Sequence, residues 1–225
     1  MTYSVVLFDL DGTLLDTLDD LHSAVNFTLQ KYRLPIRSRD EVKVFIGNGI
    51  VKLMERSVGA GMHSRLDMAA VVNDFKEYYG KHCREKTKPY DGVLNLLASL
   101  KKAGAAVGVV SNKAHFATAD LCEFYFGNLV GVAIGENEEG GVRKKPAPDS
   151  LLAAMKALGA ENAADVVYVG DSEVDIQTAK NAGVDCISVS WGMKDRAFLI
   201  ENGATVVIDS VEELQSRLGI GNALR

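Results

Sequence analysis

Residues 4–16 read Ser-Val-Val-Leu-Phe-Asp-Leu-Asp-Gly-Thr-Leu-Leu-Asp, an apolar run that breaks at two carboxylates, Asp9 and Asp11, with Gly12 and Thr13 directly behind them. Val5 to Phe8 show no polar alternation, which is the pattern of a strand buried on both faces and covered by helices. In open sheets of that kind, ligands sit outside the carboxyl ends of the strands. Two acids are therefore delivered to the edge of a crevice. Gly12 permits a left-handed turn there, and the Thr13 hydroxyl can serve an anion or the backbone.

After Asp16 the hydrophobic period changes to that of a helix. Leu18, Leu21, Val25, Leu29 and Tyr32 share one face, and Ser38 with Glu41 forms a capping-box signal. A short helix carries Val42 and Phe45 to a break at Gly47-Asn48-Gly49, and a second carries Ile50, Leu53 and Met54. A longer helix over 65–81 aligns Leu66, Ala69, Val72, Phe75 and Tyr79 as a core face. No strand is expected from 17 to 86.

From Tyr90 onward helices and strands alternate. Strands are expected at 105–110, 129–134, 166–169, 186–189 and 205–208, with helices between them and one near 211–218. Such alternation means parallel strands with helical crossovers. The predicted fold is α/β, a doubly wound parallel sheet formed by 1–15 and 87–225, with an all-helical cap domain formed by 16–86. A helical module placed directly after a functional loop is positioned to act as a lid.

Thirty acids against twenty-five bases, a formal net charge of -5, and no basic stripe argue against nucleic acid as a partner. The first apolar run ends at Asp9, far short of a signal or membrane-spanning length, so a cytoplasmic protein with no membrane partner is expected. Cys83, Cys122 and Cys186 are scattered and odd in number, which fits reduced core thiols. The four histidines, likewise scattered, give no metal-ligand spacing.

Three further strand ends carry polar groups. Ser111 and Asn112 follow Val109-Val110 with a hydroxyl and an amide that suit a phosphate and equally suit a helix cap. Arg143-Lys144-Lys145 precedes Pro146 and Pro148, which stiffen the loop that presents a cation. Gly170-Asp171-Ser172-Glu173-Val174-Asp175 ends another buried strand in a carboxylate, with Asp175 on the same helical face four residues on. Asp9, Asp11 and Asp171 would form an oxygen-only cluster suited to Mg2+, because unneutralised acids repel and raise one another's pKa values.

Taken together, Asp9-x-Asp11-Gly12-Thr13, Ser111, Lys145-Pro146 and Gly170-Asp171-Ser172-x-x-Asp175 resemble the four motifs of the haloacid dehalogenase-like superfamily, in order and across nearly the whole chain. The resemblance implies a Rossmann-like core with a helical cap of the first type. It implies Asp9 as a nucleophile that forms an aspartyl-phosphate, and Asp11 as the acid and base of the two half-reactions. Mg2+ would be held by the Asp9 side chain, the Asp11 main-chain carbonyl and Asp171, with Asp175 in support. Ser111, Asn112, Thr13 and Lys145 would bind the phosphoryl group. Because Lys144 precedes Lys145, the proline that follows directly decides for Lys145.

The segment Phe45 to Arg56 resembles the cap of phosphoglycolate phosphatases, which implies 2-phosphoglycolate or a similarly small phosphate ester as substrate, read by Gly47, Asn48 and Gly49 with Lys52 and Arg56 nearby. The resemblance leaves open a phosphomutase, a pyrophosphatase, or a broad sugar or nucleotide phosphatase. A non-catalytic scaffold would have lost at least one site residue, and all are present. Either a monomer or a homodimer is compatible. Trp191-Gly192 follows the fifth core strand, where it borders the site or simply packs.

Overall fold

The computed structural model describes residues 2–220. The chain runs through β1 (Val5–Phe8), β2 (Leu15–Asp16), α1 (Leu18–Lys31), α2 (Arg39–Phe45), α3 (Gly49–Val58), α4 (Met68–His82) and β3 (Lys88–Pro89). It continues through α5 (Val93–Lys102), β4 (Ala106–Ala114), α6 (His115–Phe126), β5 (Val132–Glu136), α7 (Asp149–Ala157) and β6 (Val166–Gly170). The last elements are α8 (Glu173–Ala182), β7 (Asp185–Val189), α9 (Arg196–Glu201), β8 (Val207–Ile208) and α10 (Val211–Arg217).

Six strands form one sheet in the order β5-β4-β1-β6-β7-β8, and every pairing in it is parallel. The α/β expectation holds. Strand order reverses at β1, which lies between β4 and β6, so the crevice of a doubly wound sheet opens at the end of β1. Because side chains alternate along a strand, Val6 and Phe8 pack into one core with α5, α6 and α10, while Val5 and Leu7 pack into another with α7 and α8. Asp9 follows Phe8 and is held to β6 by its amide, which donates to Val169 O at 2.8 Å.

All residues between Leu18 and His82 that take regular structure are helical, and α1, α3 and α4 share the core that backs Val6 and Phe8. Ser38 caps α2 with the reciprocal bonds that its spacing with Glu41 predicted. Where the chain enters and leaves this helical segment, β2 and β3 form an antiparallel ribbon that pairs Leu15 with Pro89 and Asp16 with Lys88. Asp20 on α1 accepts the Lys86 amide at 3.0 Å and the Thr87 amide at 2.8 Å, tying the return crossing to the first helix. The ribbon is invisible in sequence, since two residues per strand carry no periodicity.

Two boundaries differ in ways that matter. Strand β5 begins at Val132 rather than Leu129, because 127–129 form a single helical turn. Strand β4 runs on to Ala114, beyond the expected end at Val110. Its register with β5 breaks there: Val110 pairs with Ile134 but Ala114 pairs with Glu136. Such a bulge re-aims side chains, and it lets Ser111, Asn112 and Lys113, three consecutive polar residues, all be buried.

Among the described residues, no helix is long and apolar enough to cross a membrane. Cys83, Cys122 and Cys186 are free, and burial pushes the Cys122 and Cys186 thiols up to about 12, which leaves them unreactive.

Candidate active site

Three strand ends and one loop meet around a cavity of about 60 Å3. Strand β1 supplies Asp9 and Asp11, β4 supplies Ser111 and Lys113, the loop before α7 supplies Lys145, and the end of β6 supplies Asp171. The turn behind Asp9 depends on Gly12, whose φ is +86° and whose missing Cβ would overlap the Asp171 carboxylate. A side chain there would meet both backbone strain and the very group the turn must approach.

Lys145 is almost wholly buried, and its ammonium is fully engaged. It donates to Asp9 Oδ1 at 2.8 Å, to Asp175 Oδ1 at 2.7 Å and to the Tyr168 hydroxyl oxygen at 2.8 Å. Burial works against its charge, yet Asp175 and Asp9 hold its pKa above the ordinary lysine value. Lys144, by contrast, reaches outward to Glu138 at 3.1 Å. The proline rule therefore selected the lysine that reaches the acids.

Lys113 makes the matching contact at Asp11, donating to Oδ1 at 2.9 Å and Oδ2 at 3.1 Å, and the Thr17 hydroxyl donates to Asp11 Oδ1 at 2.6 Å. Its own pKa is raised by Asp11 against the effect of burial. Burial pushes Asp9 up to about 7, with Lys145 pulling it down and Asp175 and Asp11 adding to the rise. Burial likewise raises Asp171 well above the carboxylate range, reinforced by Asp175 and Asp9, while the Met193 amide, which donates to Asp171 Oδ2 at 2.5 Å, draws it back.

These shifts express a charge imbalance. Among the described residues, Asp9, Asp11, Asp171 and Asp175 make ion pairs only with Lys113 and Lys145, which leaves two formal negative charges without a salt-bridge partner. Asp9, Asp171 and Asp175 each offer a carboxylate oxygen, all within 4.8 Å of one another. An all-oxygen donor set with two uncompensated charges fits a hard divalent cation. Within that set Asp175 stands behind the others. Its Oδ1 accepts from Lys145 and Tyr168, and its Oδ2 accepts from the Ser172 amide at 3.1 Å and hydroxyl at 2.6 Å.

The model of the haloacid dehalogenase-like hydrolases matches residues 6–189, which takes in Asp9, Asp11, Ser111, Lys113, Lys145, Asp171 and Asp175. The chain belongs to the haloacid dehalogenase-like hydrolase family. Among relatives of this hydrolase, the phosphoglycolate phosphatase of Pseudomonas syringae pv. syringae is 34% identical over 216 residues, covering 93% of this chain and 78% of that one. The phosphoglycolate phosphatase of Salmonella typhi is 30% identical over 239 residues, covering 96% and 92%. A solved structure of a candidate phosphoglycolate phosphatase from Lactobacillus delbrueckii subsp. bulgaricus superposes with a TM-score of 0.89 at 35% identity, covering 97% of this chain and 99% of that one. The chain is thus a phosphatase of the haloacid dehalogenase-like hydrolases, similar to phosphoglycolate phosphatases.

Of the residues expected at the site of such a hydrolase, the structure gathers Asp9, Asp11, Ser111, Lys145, Asp171, Gly47 and Gly49 on the cavity wall. Asn112 also lines it but needs a correction as a phosphate donor. Its Nδ2 donates to Gly47 O at 3.0 Å and to Lys145 O at 2.9 Å, and its Oδ1 accepts the Lys145 amide at 2.8 Å. Both amide protons are taken, so Asn112 joins the helical segment to the lysine loop. Asn48 and Thr13 are not on the wall. Asn48 Oδ1 accepts from Arg56 at 2.7 Å, and Lys52 turns to Glu55 at 2.7 Å, so neither cation of α3 serves the cavity. Thr13 is buried behind the turn, where its carbonyl accepts the Trp191 indole N–H at 3.2 Å.

The residues that motif spacing missed are Lys113, Tyr79 and Tyr168. Lys113 follows two residues singled out for phosphate binding but looks like a solvated lysine beyond a strand. Tyr79 and Tyr168 sit at core positions of a helix and a strand, and periodicity reports burial without saying which hollow a side chain is buried against.

Proposed function

We propose that this hydrolase releases phosphate from a small anionic phosphomonoester, 2-phosphoglycolate or a close analogue, with Mg2+ and through an aspartyl-phosphate on Asp9. One observation carries the reading: Asp9 and Asp11 share a cavity with Ser111, Lys113, Lys145 and Asp171, a nucleophile and a proton carrier among groups that counter phosphoryl charge.

In this mechanism an Asp9 oxygen attacks phosphorus while the ester P–O bond breaks, and Asp11 passes its proton to the departing alcohol oxygen. Asp11 then takes a proton from the water that attacks the acyl phosphate, and Asp9 departs as a carboxylate. Lys113 and Thr17 hold the Asp11 carboxyl in orientation throughout. The Ser111 hydroxyl binds an equatorial oxygen of the transferring group, where preorganised donors act most strongly, and Lys145 turns the N–H it gives to Asp9 onto a second one. The Asp9 and Asp171 side chains and the Asp11 carbonyl would hold Mg2+, with Asp175 behind them, and the ion would add charge neutralisation on the phosphoryl oxygens. The helical segment 16–86 acts as the cap, with the β2–β3 ribbon as its hinge.

A phosphate-release screen across small phosphomonoesters with and without Mg2+ tests this reading, with Asp9→Asn as control. The expected result is metal-dependent release, greatest for 2-phosphoglycolate and absent in Asp9→Asn. Isomerised sugar phosphate without phosphate release would make the protein a mutase instead.

A further inference from the structure

We infer that Tyr168 is a positioning residue for the phosphatase reaction: its hydroxyl fixes the Lys145 ammonium relative to the strand that presents Ser111. The inference rests on the reading of Lys145 and Ser111 as phosphoryl-binding groups. Tyr168 stands in the middle of β6, paired with Leu7 on β1 and Cys186 on β7. Its ring belongs to the second core, among Val5, Leu7, Val110, Leu151 and Ala154. Tyr168 is 0% exposed and is not on the cavity wall, so it acts on the reaction only through its neighbours. Phenylalanine would fill the same space, so the oxygen is the atom that needs a reason.

That oxygen sits at a junction. It accepts a hydrogen bond from Lys145 Nζ at 2.8 Å, and its single proton faces two acceptors, Val110 O at 2.9 Å and Asp175 Oδ1 at 3.0 Å. Val110 precedes Ser111 and is the last residue of β4 in register with β5 before the bulge. One oxygen therefore ties the lysine loop to the backbone that carries Ser111 and to the first turn of α8. Burial, with the Asp175 and Asp9 charges, holds the phenol pKa well above the ordinary tyrosine value, so the group keeps its proton. A neutral anchor directs the ammonium without neutralising it.

The need for such an anchor follows from how Lys145 works. An ammonium has three N–H donors, and here they go to Asp9, Asp175 and Tyr168. When the N–H given to Asp9 turns onto a phosphoryl oxygen, Asp175 and Tyr168 are the two contacts that remain. Lysine carries its charge on a flexible stem. One contact leaves the head free to swing about it, whereas two on different elements hold it in place. A misplacement of about 1 Å at such a group costs on the order of 10^2-fold in rate.

The test is Tyr168→Phe, alone and combined with Lys145→Ala. Both kcat and KM are measured on the best ester of the phosphate-release screen, at a temperature where melting curves show each protein folded. The expected result is a fall in kcat of roughly tenfold or more with KM changed less than about threefold. With Lys145 already replaced, the further fall should be less than about twofold, because the two groups act as a unit. A smaller loss of kcat in the single variant overturns the inference. So does an equal loss in both backgrounds, which is what a merely structural role produces. Should Tyr168→Phe fail to fold, Tyr168→4-aminophenylalanine decides. The aniline keeps the ring and an N–H donor, but its lone pair is delocalised into the ring, so Lys145 loses its acceptor. The same loss of kcat is then expected, and wild-type kcat overturns the inference. Wild-type turnover in Lys145→Ala would instead sink the phosphoryl-binding reading and the positioning role with it, whereas loss there and none in Tyr168→Phe removes the positioning role alone.

Discussion

The two walls of the cavity are built on different principles. The sheet-side wall is charged and closed upon itself: Lys145 bridges Asp9 and Asp175, Lys113 holds Asp11, and the Met193 amide holds Asp171. The helical-side wall is apolar, built of Leu21, Ile46, Ile50, Leu53, Phe75 and Tyr79 with Gly47 and Gly49. Groups that must meet developing charge are fixed beforehand by partners, because reorganisation during the reaction would cost rate. Groups that choose a substrate by size need only shape. The contrast predicts that damage to the first wall lowers turnover on every substrate, and damage to the second changes which substrate is preferred.

The largest break should come from the lysine loop. Lys145→Ala leaves Asp9 and Asp175 buried without their cation, and turnover should fall by ~10^3-fold or more on all esters, in keeping with loss of a preorganised charge. Lys144→Ala removes only the outward contact to Glu138 and should stay within about threefold. Steady-state kinetics on two esters checks both, and the reverse ranking would move the phosphate lysine to Lys144.

The sheet-side wall alone carries the site's titration. With Asp9 pushed up to about 7 by burial, the metal-free carboxyl binds a proton below that pH, and the proton must leave before a cation can be held. Mg2+ affinity should therefore fall with pH, by roughly 25-fold between pH 7.5 and 5.5 for a single group of that pKa. Calorimetric titration of the protein with Mg2+ measures it, and proton release on binding gives the sign independently. The same shift means that Asp9 favours the fold when protonated, so this contribution to stability is fully present below the unfolded pKa near 4 and is lost as pH rises through 7. Added Mg2+ should raise the melting temperature more at pH 7.5 than at pH 5.5.

On the other wall, Leu53→Ala enlarges the cavity from the helical side. Relative kcat/KM for a bulkier ester over 2-phosphoglycolate should rise about tenfold, the scale on which a hydrophobic pocket discriminates by size. Equal change on both substrates would erase the distinction between the walls.

The same distinction explains how much could be read in advance. Asp9, Asp11, Ser111 and Asp171 lie at or just beyond the ends of apolar strands, and Lys145 stands directly before a stiff proline loop, so the abrupt change of character marks them. Asn112 was legible as a polar strand end, but the bulge between Val110 and Ala114 turns its amide onto Gly47 and Lys145. Lys113 escaped notice because a lysine after a strand is ordinarily solvated, and only the bulge and the partner Asp11 make it a buried cation. Tyr79 reads as one more member of the α4 core face, alongside Val72 and Phe75. Its distinction is the contact with Lys113 across the cavity, which no pattern of residues can display. Trp191-Gly192 does border the site, packing against the turn at Thr13 and Gly12, and that contact spans most of the chain.

Whether Asp9 becomes phosphorylated is decided most directly by reductive trapping. Borohydride reduces an acyl phosphate at an aspartate to homoserine, so enzyme quenched during turnover with substrate and Mg2+ is reduced, digested and analysed by peptide mass spectrometry. Conversion at Asp9, dependent on both substrate and Mg2+ and absent in Asp9→Asn, is the predicted result. An unaltered Asp9 peptide, together with phosphate release that survives in Asp9→Asn, would contradict the nucleophile assignment and the mechanism built on it.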